Sequence, residues 1–229
     1  MSKILVPTRA LSDWQRLLAN PEKHWRAGFS AMATARSWEE AQGLPPEIDQ
    51  ILGPGSELLF AIPEHKVPLP GGRSESQCDV FALARSSGRT IALAVEAKVD
   101  EPFDKTLGDW LADGSTGKRR RLDAICARLG CPEPPPELRY QLFHRTAAAI
   151  IEADRMKTDA AAMIVQSFSQ EHRWFEDFAR FCAFLDLDGA RAAPLVRRLP
   201  DGRDLILGWA TGDPRHLGGE TVHGNGYEP

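Results

Sequence analysis

The chain has 229 residues, enough for one α/β domain with a sizeable core, and 28 lysines and arginines against 32 aspartates and glutamates give a formal charge of −4. That balance excludes a globally basic nucleic-acid binder, so any attraction for a polyanion must be local. The four cysteines show no CxxC spacing and no zinc pattern, and no run of about 18 apolar residues occurs, so the sequence predicts a reduced, cytoplasmic chain without membrane spans, disulfides or a zinc ribbon.

Taken in order, Ser12 to Leu18 predicts a small helix, and a longer one covers about Ser30 to Gln42 before Gly43 and Pro45 stop it. Pro46 opens a short helix through Ile51 and Leu52. Glu57 to Ile62 reads as a first strand ended or edged by Pro63, followed by extended Glu64 to Val67 and a loop of breakers, Pro68 to Arg73. Two apolar runs, Gln77 to Arg85 and Thr90 to Val99, flank Ser87-Gly88 and read as a β-hairpin.

Beyond the hairpin, a helical segment contains Leu107, Trp110 and Leu111, and Asp100 and Glu101 stand ready to satisfy a helix N-terminus. Gly117 to Arg121 is a basic helix start, suited to clamping a phosphate backbone or simply to being solvated. The clearest helix runs from Glu137 to about Met156, with Leu138, Leu142, Ala149, Ile150 and Ala153 as its buried stripe and Gln141, Arg145 and Glu152 on another face. Ala160 to Phe168 fits a buried strand reached by a helical crossover. A helix over about Gln170 to Leu187 and a hairpin, Pro194 to Leu199 with Asp204 to Trp209, complete the domain at residue 210, and a flexible Gly-rich tail is expected over 211–229.

The chemistry concentrates in the first hairpin. A turn centred on Ser87-Gly88 pairs Val80 with Val95 and Phe81 with Ala94, which sets Asp79 opposite Glu96 and brings Gln77 beside Lys98. Directly opposed carboxylates, with Cβ atoms about 5 Å apart, repel unless a cation lies between them. Mg²⁺ or Mn²⁺ suits such a pair, since hard divalent ions take carboxylates plus water and phosphate oxygens. The plain alternative is a solvated strand end with a surface Glu-x-Lys ion pair.

Asp79 followed by Glu96-Ala97-Lys98 at the end of the next strand resembles the PD-(D/E)xK phosphodiesterase superfamily, the restriction-endonuclease-like nucleases, although Cys78 stands where that motif often has proline. The resemblance implies a three-layer α/β sandwich, a central mixed sheet flanked by helices with a core over about 28–169, here with an added C-terminal helix and β-hairpin. It implies metal-dependent hydrolysis of nucleic acid, expected to be DNA, with Asp79 and Glu96 as metal ligands and Lys98 assisting the attacking water. Glu64 is a second-tier ligand candidate, and the first-helix glutamates Glu39, Glu40 and Glu47 suit solvated faces better. Gln141 and Arg145 would anchor the scissile phosphate, and Gln77 would hold the water or a phosphate oxygen; pairing of Arg145 with Glu152 or Glu137 is the competing reading. A homodimer is one arrangement open to such an enzyme. The reading from a different class is a catalytically silent nuclease-fold module working within a larger complex.

Overall fold

Nearly every residue of the two central strands is apolar on both sides, which demands a sheet covered on both faces. The computed structural model describes residues 11–18, 20–188 and 190–218, and it has that form. Four helices precede the sheet: α1 (Leu11–Gln15), α2 (Pro21–His24), α3 (Ser30–Ala41) and α4 (Pro46–Leu52). The strands β1 (Glu57–Pro68), β2 (Glu75–Ser86) and β3 (Arg89–Lys98) form an antiparallel meander. Helices α5 (Leu107–Leu111), α6 (Thr116–Leu129) and α7 (Tyr140–Met156) then cross over to β4 (Ala160–Ser167), parallel to β3. After α8 (Phe175–Phe184), the hairpin β5 (Leu195–Arg198) and β6 (Asp204–Thr211) joins the same sheet, with β6 parallel to β4. The order is β1-β2-β3-β4-β6-β5, a six-stranded mixed sheet.

Alternation sorts the core into two layers. Phe81, Ala92, Ala94, Met163 and Trp209 meet α6, α7 and α8, while Val80, Leu93, Val95 and Ile164 meet Trp38 of α3 and Ile51 of α4. A buried polar clasp ties α3 and α4 to the sheet: Trp38 Nε1 donates to Gln166 Oε1 (3.1 Å), and Gln166 Nε2 donates to Glu47 Oε1 (2.7 Å). Leaving those groups unpaired in the interior would cost about 1–3 kcal/mol each, which explains why Glu47 stays there.

The close approach of α4 to the sheet depends on Gly208, where a Cβ would lie 2.6 Å from Ile51 Cγ2. Ile51 is buried and β-branched, so it cannot swing away. Gly208→Ala should therefore destabilise the protein by about 1–3 kcal/mol, read as a lower urea midpoint with unchanged slope.

Of the two readings of Pro63, strand end or edge strand, the structure has the edge: β1 continues to Pro68, and the proline is tolerated because β1 lies at the sheet edge beside β2. One expectation is corrected. The expected flexible tail is ordered through residue 218. Gly212 N donates to Ser167 O (2.8 Å), Pro214–Leu217 forms a 3₁₀ turn with His216 buried, and Arg36 Nη1 donates to His216 O (3.1 Å). The rest of that tail, 219–229, lies outside the described residues. No helix among the described residues is long and apolar enough to cross a membrane.

Candidate active site

Three carboxylates lie on adjacent strands of the meander, Glu64 on β1, Asp79 on β2 and Glu96 on β3. The hairpin pairs Val80 with Val95 and Phe81 with Ala94, in the register its turn requires, with Ser87 and Gly88 both at positive φ. The ladder ends at Val80 and Val95, and Asp79 Oδ2 instead accepts from Ala97 N (2.6 Å). Alternation slips here: Cys78 joins the core under α7, whereas Val80 joins the core under α3, although residues two apart on a regular strand share a face. In β1 the matching irregularity is Glu64, at φ 53°, between the pairs Pro63–Val80 and His65–Cys78. Glu64 therefore stands opposite Asp79.

Glu96 takes a different environment. It is 3% exposed, and its Oε1 accepts from Lys98 Nζ (2.6 Å) and Gln141 Nε2 (2.7 Å). Its Oε2 accepts from Arg145 Nε, and Arg145 Nη1 also donates to Ser76 Oγ (2.9 Å). Burial alone would raise the Glu96 carboxyl, but Arg145 and Lys98 outweigh it and pull it down to about 2. Lys98 is itself buried, with its ammonium 5.1 Å from the centre of the Phe103 ring.

Asp79 and Glu64 lack such compensation. Burial, then the Glu96 charge, pushes Asp79 up to about 7; burial, then the Asp79 charge, pushes Glu64 up to about 8. Adjacent carboxyls of this kind titrate as a pair. Gln77 Nε2 donates to Glu64 Oε2 (2.7 Å), and among the described residues Glu64 Oε1 and Asp79 Oδ1 have no donor. Glu64, Gln77, Asp79 and Arg145 line a cleft of about 220 Å³ whose far wall is Leu18, His24 and Ser30.

The sign of the resulting pH dependence follows from the direction of these shifts. A carboxyl raised in the folded state stabilises it below the ordinary carboxylate range, and that contribution is lost as pH climbs through about 7 to 8. In metal-free buffer the thermal midpoint should fall by several degrees between pH 6 and pH 9, after discounting for the partial exposure of both groups. Asp79→Asn should flatten that fall, and an equal fall in the variant would refute the pairing.

A divalent cation fits this donor set in a water-rich form, as two neighbouring carboxylates each keep an oxygen without a protein donor and carry excess mutual repulsion. Among the described residues, no group of three His, Cys, Asp or Glu side chains is arranged to close around an ion. Of the two expected ligands, Asp79 lies beside Glu64 in the cleft lining, and Glu96 is held by Lys98 and Arg145.

The other candidates are placed as follows. Gln77 binds Glu64 instead of standing beside Lys98. Gln141 bridges Glu96 and the segment after β3, accepting from Asp104 N (3.2 Å). Arg145 pairs with Glu96, and Glu152 pairs instead with Arg155 (2.6 Å). Glu39 accepts from Trp14 Nε1 (2.7 Å), Glu40 pairs with Arg215 (2.6 Å) and Glu47 holds Gln166, so none of these glutamates turns to the site. Glu101 caps α3 from a distance, accepting from Ser30 N (3.1 Å) and from the Ser30 hydroxyl.

Sequence reasoning missed Ser76. Its Oγ lies 2.9 Å from His144 Nδ1 while accepting from Arg145, and nothing in its own neighbourhood of sequence marks it. Burial, then the Arg145 charge, holds the His144 imidazole well below its usual range, so the ring is neutral at pH 7.

A family model described as a domain of unknown function, DUF6946, matches residues 7–214. No curated protein and no solved structure matches the chain.

Proposed function

The chain belongs to the DUF6946 family, and we propose that it is a metal-dependent phosphodiesterase acting on nucleic acid, with DNA the expected substrate. The observation that carries this reading is the set of Glu64, Asp79 and Glu96 on three adjacent strands, two of them uncompensated and facing a cleft, with buried Lys98 and Arg145 joined to the third. The element order supports the finer fold reading, a restriction-endonuclease-like domain: a helix, a three-strand meander, a helical crossover and a parallel fourth strand. The four free thiols support a cytoplasmic setting.

Asp79 and Glu64 would hold the cation, Mg²⁺ or Mn²⁺, with Glu96 beside them. When bound, such an ion supplies charge neutralisation and a more acidic water. Lys98 presents Nζ to water at the reacting phosphate and exchanges protons there, with Glu96 orienting it. Arg145, a cation in the cleft wall, pairs with a phosphate oxygen while anchoring Glu96. Gln77 orients Glu64, and Gln141 positions Glu96. Cleavage of both strands of a duplex calls for two such sites, so a homodimer belongs to the same proposal.

One observation favours the second reading, a binding module without catalysis: both oxygens of Glu96 are already taken by Lys98, Gln141 and Arg145. Incubating plasmid and single-stranded DNA with Mg²⁺ or Mn²⁺ separates the two. Metal-dependent cutting that stops with EDTA is the expected result. Calorimetric metal binding that depends on Asp79, without cutting of any nucleic acid, selects the module; no metal binding at all would sink both metal assignments.

A further inference from the structure

A second cleft, of about 320 Å³, lies between the Gly71-Gly72 loop, the first turn of α6 and the start of α7, and shares no lining residue with the carboxylate cleft. Its walls include Lys118, Arg121, Tyr140 and His144. Three independent features there call for an anion.

Arg121 is 6% exposed and has no carboxylate partner among the described residues; its Nε and Nη2 donate to the Pro70 and Ser74 carbonyls (both 2.9 Å), which satisfy hydrogen bonds but leave the charge uncompensated. Tyr140, also 6% exposed, packs face to face on Trp110 at 3.7 Å between ring centres, and its hydroxyl is buried with no hydrogen bond of good geometry among the described residues. The Arg121 guanidinium lies near that hydroxyl, but two of its nitrogens are committed to the carbonyls. Finally, His144 Nδ1 lies 2.9 Å from Ser76 Oγ and 3.4 Å from Arg145 Nη1, a cationic donor. A nitrogen facing that N–H must be the acceptor, so the neutral ring carries its proton on Nε2, a donor with no protein partner among the described residues.

The backbone is shaped to the same end. Gly71, at φ 79°, packs so closely on α6 that a Cβ would lie 2.5 Å from Gly117 O and 2.7 Å from Arg121 N. Ser115 caps the helix, and α6 directs its positive end to this cleft. Lys118 adds an ammonium that already bonds Trp110 O and Asp113 (both 2.7 Å) and keeps a third donor. Among the described residues Glu75 is the one acid on the lining, and it is exposed.

We propose that this cleft is a phosphate-binding site, in which Arg121, Lys118, the Tyr140 hydroxyl and His144 Nε2 receive a phosphate group carried by a nucleic-acid strand or by a free phosphomonoester. The binding itself is independent of cleavage; only the strand as carrier rests on the phosphodiesterase reading. Through Ser76, His144 links this cleft to Arg145 and Glu96, so a strand crossing the Glu75–Asp79 segment could touch both sites.

The test is a binding titration in EDTA, which removes cleavage from the readout. The probes are inorganic phosphate, AMP, and a labelled single-stranded oligonucleotide with and without a 5′-phosphate. Lys118→Glu and Tyr140→Phe should each weaken phosphate binding by about tenfold or more, as expected for charge-assisted bonds, while Arg120→Glu, an exposed change on the same helix outside the cleft, should leave it within about twofold. Tighter binding of the phosphorylated oligonucleotide, displaced by phosphate, assigns the site to strand ends; equal binding of both, also displaced, assigns it to the strand backbone. Binding of phosphate and AMP without either oligonucleotide assigns it to free phosphomonoesters. No binding of any probe, or equal losses in Lys118→Glu and Arg120→Glu, would overturn the proposal.

Discussion

Lys98→Ala should lower metal-dependent cleavage by about 10²–10⁴-fold, the usual contribution of a positioned proton donor or acceptor. Lys98 is buried and reaches Glu96 Oε1 at 2.6 Å, so its loss removes both a proton carrier and one of two cations on that carboxylate. These two effects need separating. Lys98→Arg restores the charge, but a guanidinium stays protonated and cannot hand on a proton. An inactive Lys98→Arg with a wild-type melting temperature assigns Lys98 to proton transfer; recovery of activity in Lys98→Arg assigns it to charge pairing alone. Undiminished cutting by Lys98→Ala would remove it from the mechanism.

The largest effect on stability should come from Arg145→Ala, at about 3–5 kcal/mol, or roughly 10 °C in melting temperature for a chain of this size. Among the described residues Arg145 and Lys98 are the cations on Glu96, and Arg145 also donates to Ser76, so truncation leaves a buried carboxylate with half its counter-charge and removes a buried hydroxyl's donor. Arg145→Lys, which keeps a cation beside Glu96, should recover part of the loss, because the buried carboxylate then regains a second counter-charge next to Lys98. A melting temperature within about 2 °C of wild type for Arg145→Ala would show that the pair carries little.

Much of the architecture is legible in local patterns. Apolar residues on both faces of Phe81 to Val95 and through Ala160 to Val165 announce covered strands, and Ser87-Gly88 supplies the positive-φ turn that pins their register. The stripe of α7 places Gln141 and Arg145 together one turn apart. Boundaries were less legible: at Pro63 strand end and strand edge stayed open because an edge position is a property of the sheet, and the tail past Thr211 looked loose because its partners, α3 and Ser167, lie far away in sequence.

For the candidate site, the residues were recognisable and their grouping was not. Asp79, Glu96 and Lys98 stand out by type and spacing. That Glu64 faces Asp79 depends on a positive φ in β1 and a slip of alternation at Asp79, neither of which leaves a compositional trace. Arg121 and Tyr140 were hidden for the opposite reason: within a basic run and an amphipathic helix they look ordinary, and only the absence of a counter-charge and of a hydrogen-bond partner distinguishes them.

By itself, then, the sequence determined the covered sheet, the hairpin register and the chemical types available at its end, because periods of 2 and 3.6 and turn chemistry act between near neighbours. The tertiary structure alone decided which carboxylate is neutralised and which are left without a paired cation. Charges in a buried site are compensated by whatever the fold lays across them, and α7 lays Arg145 and Gln141 over Glu96 while leaving Asp79 and Glu64 facing the cleft.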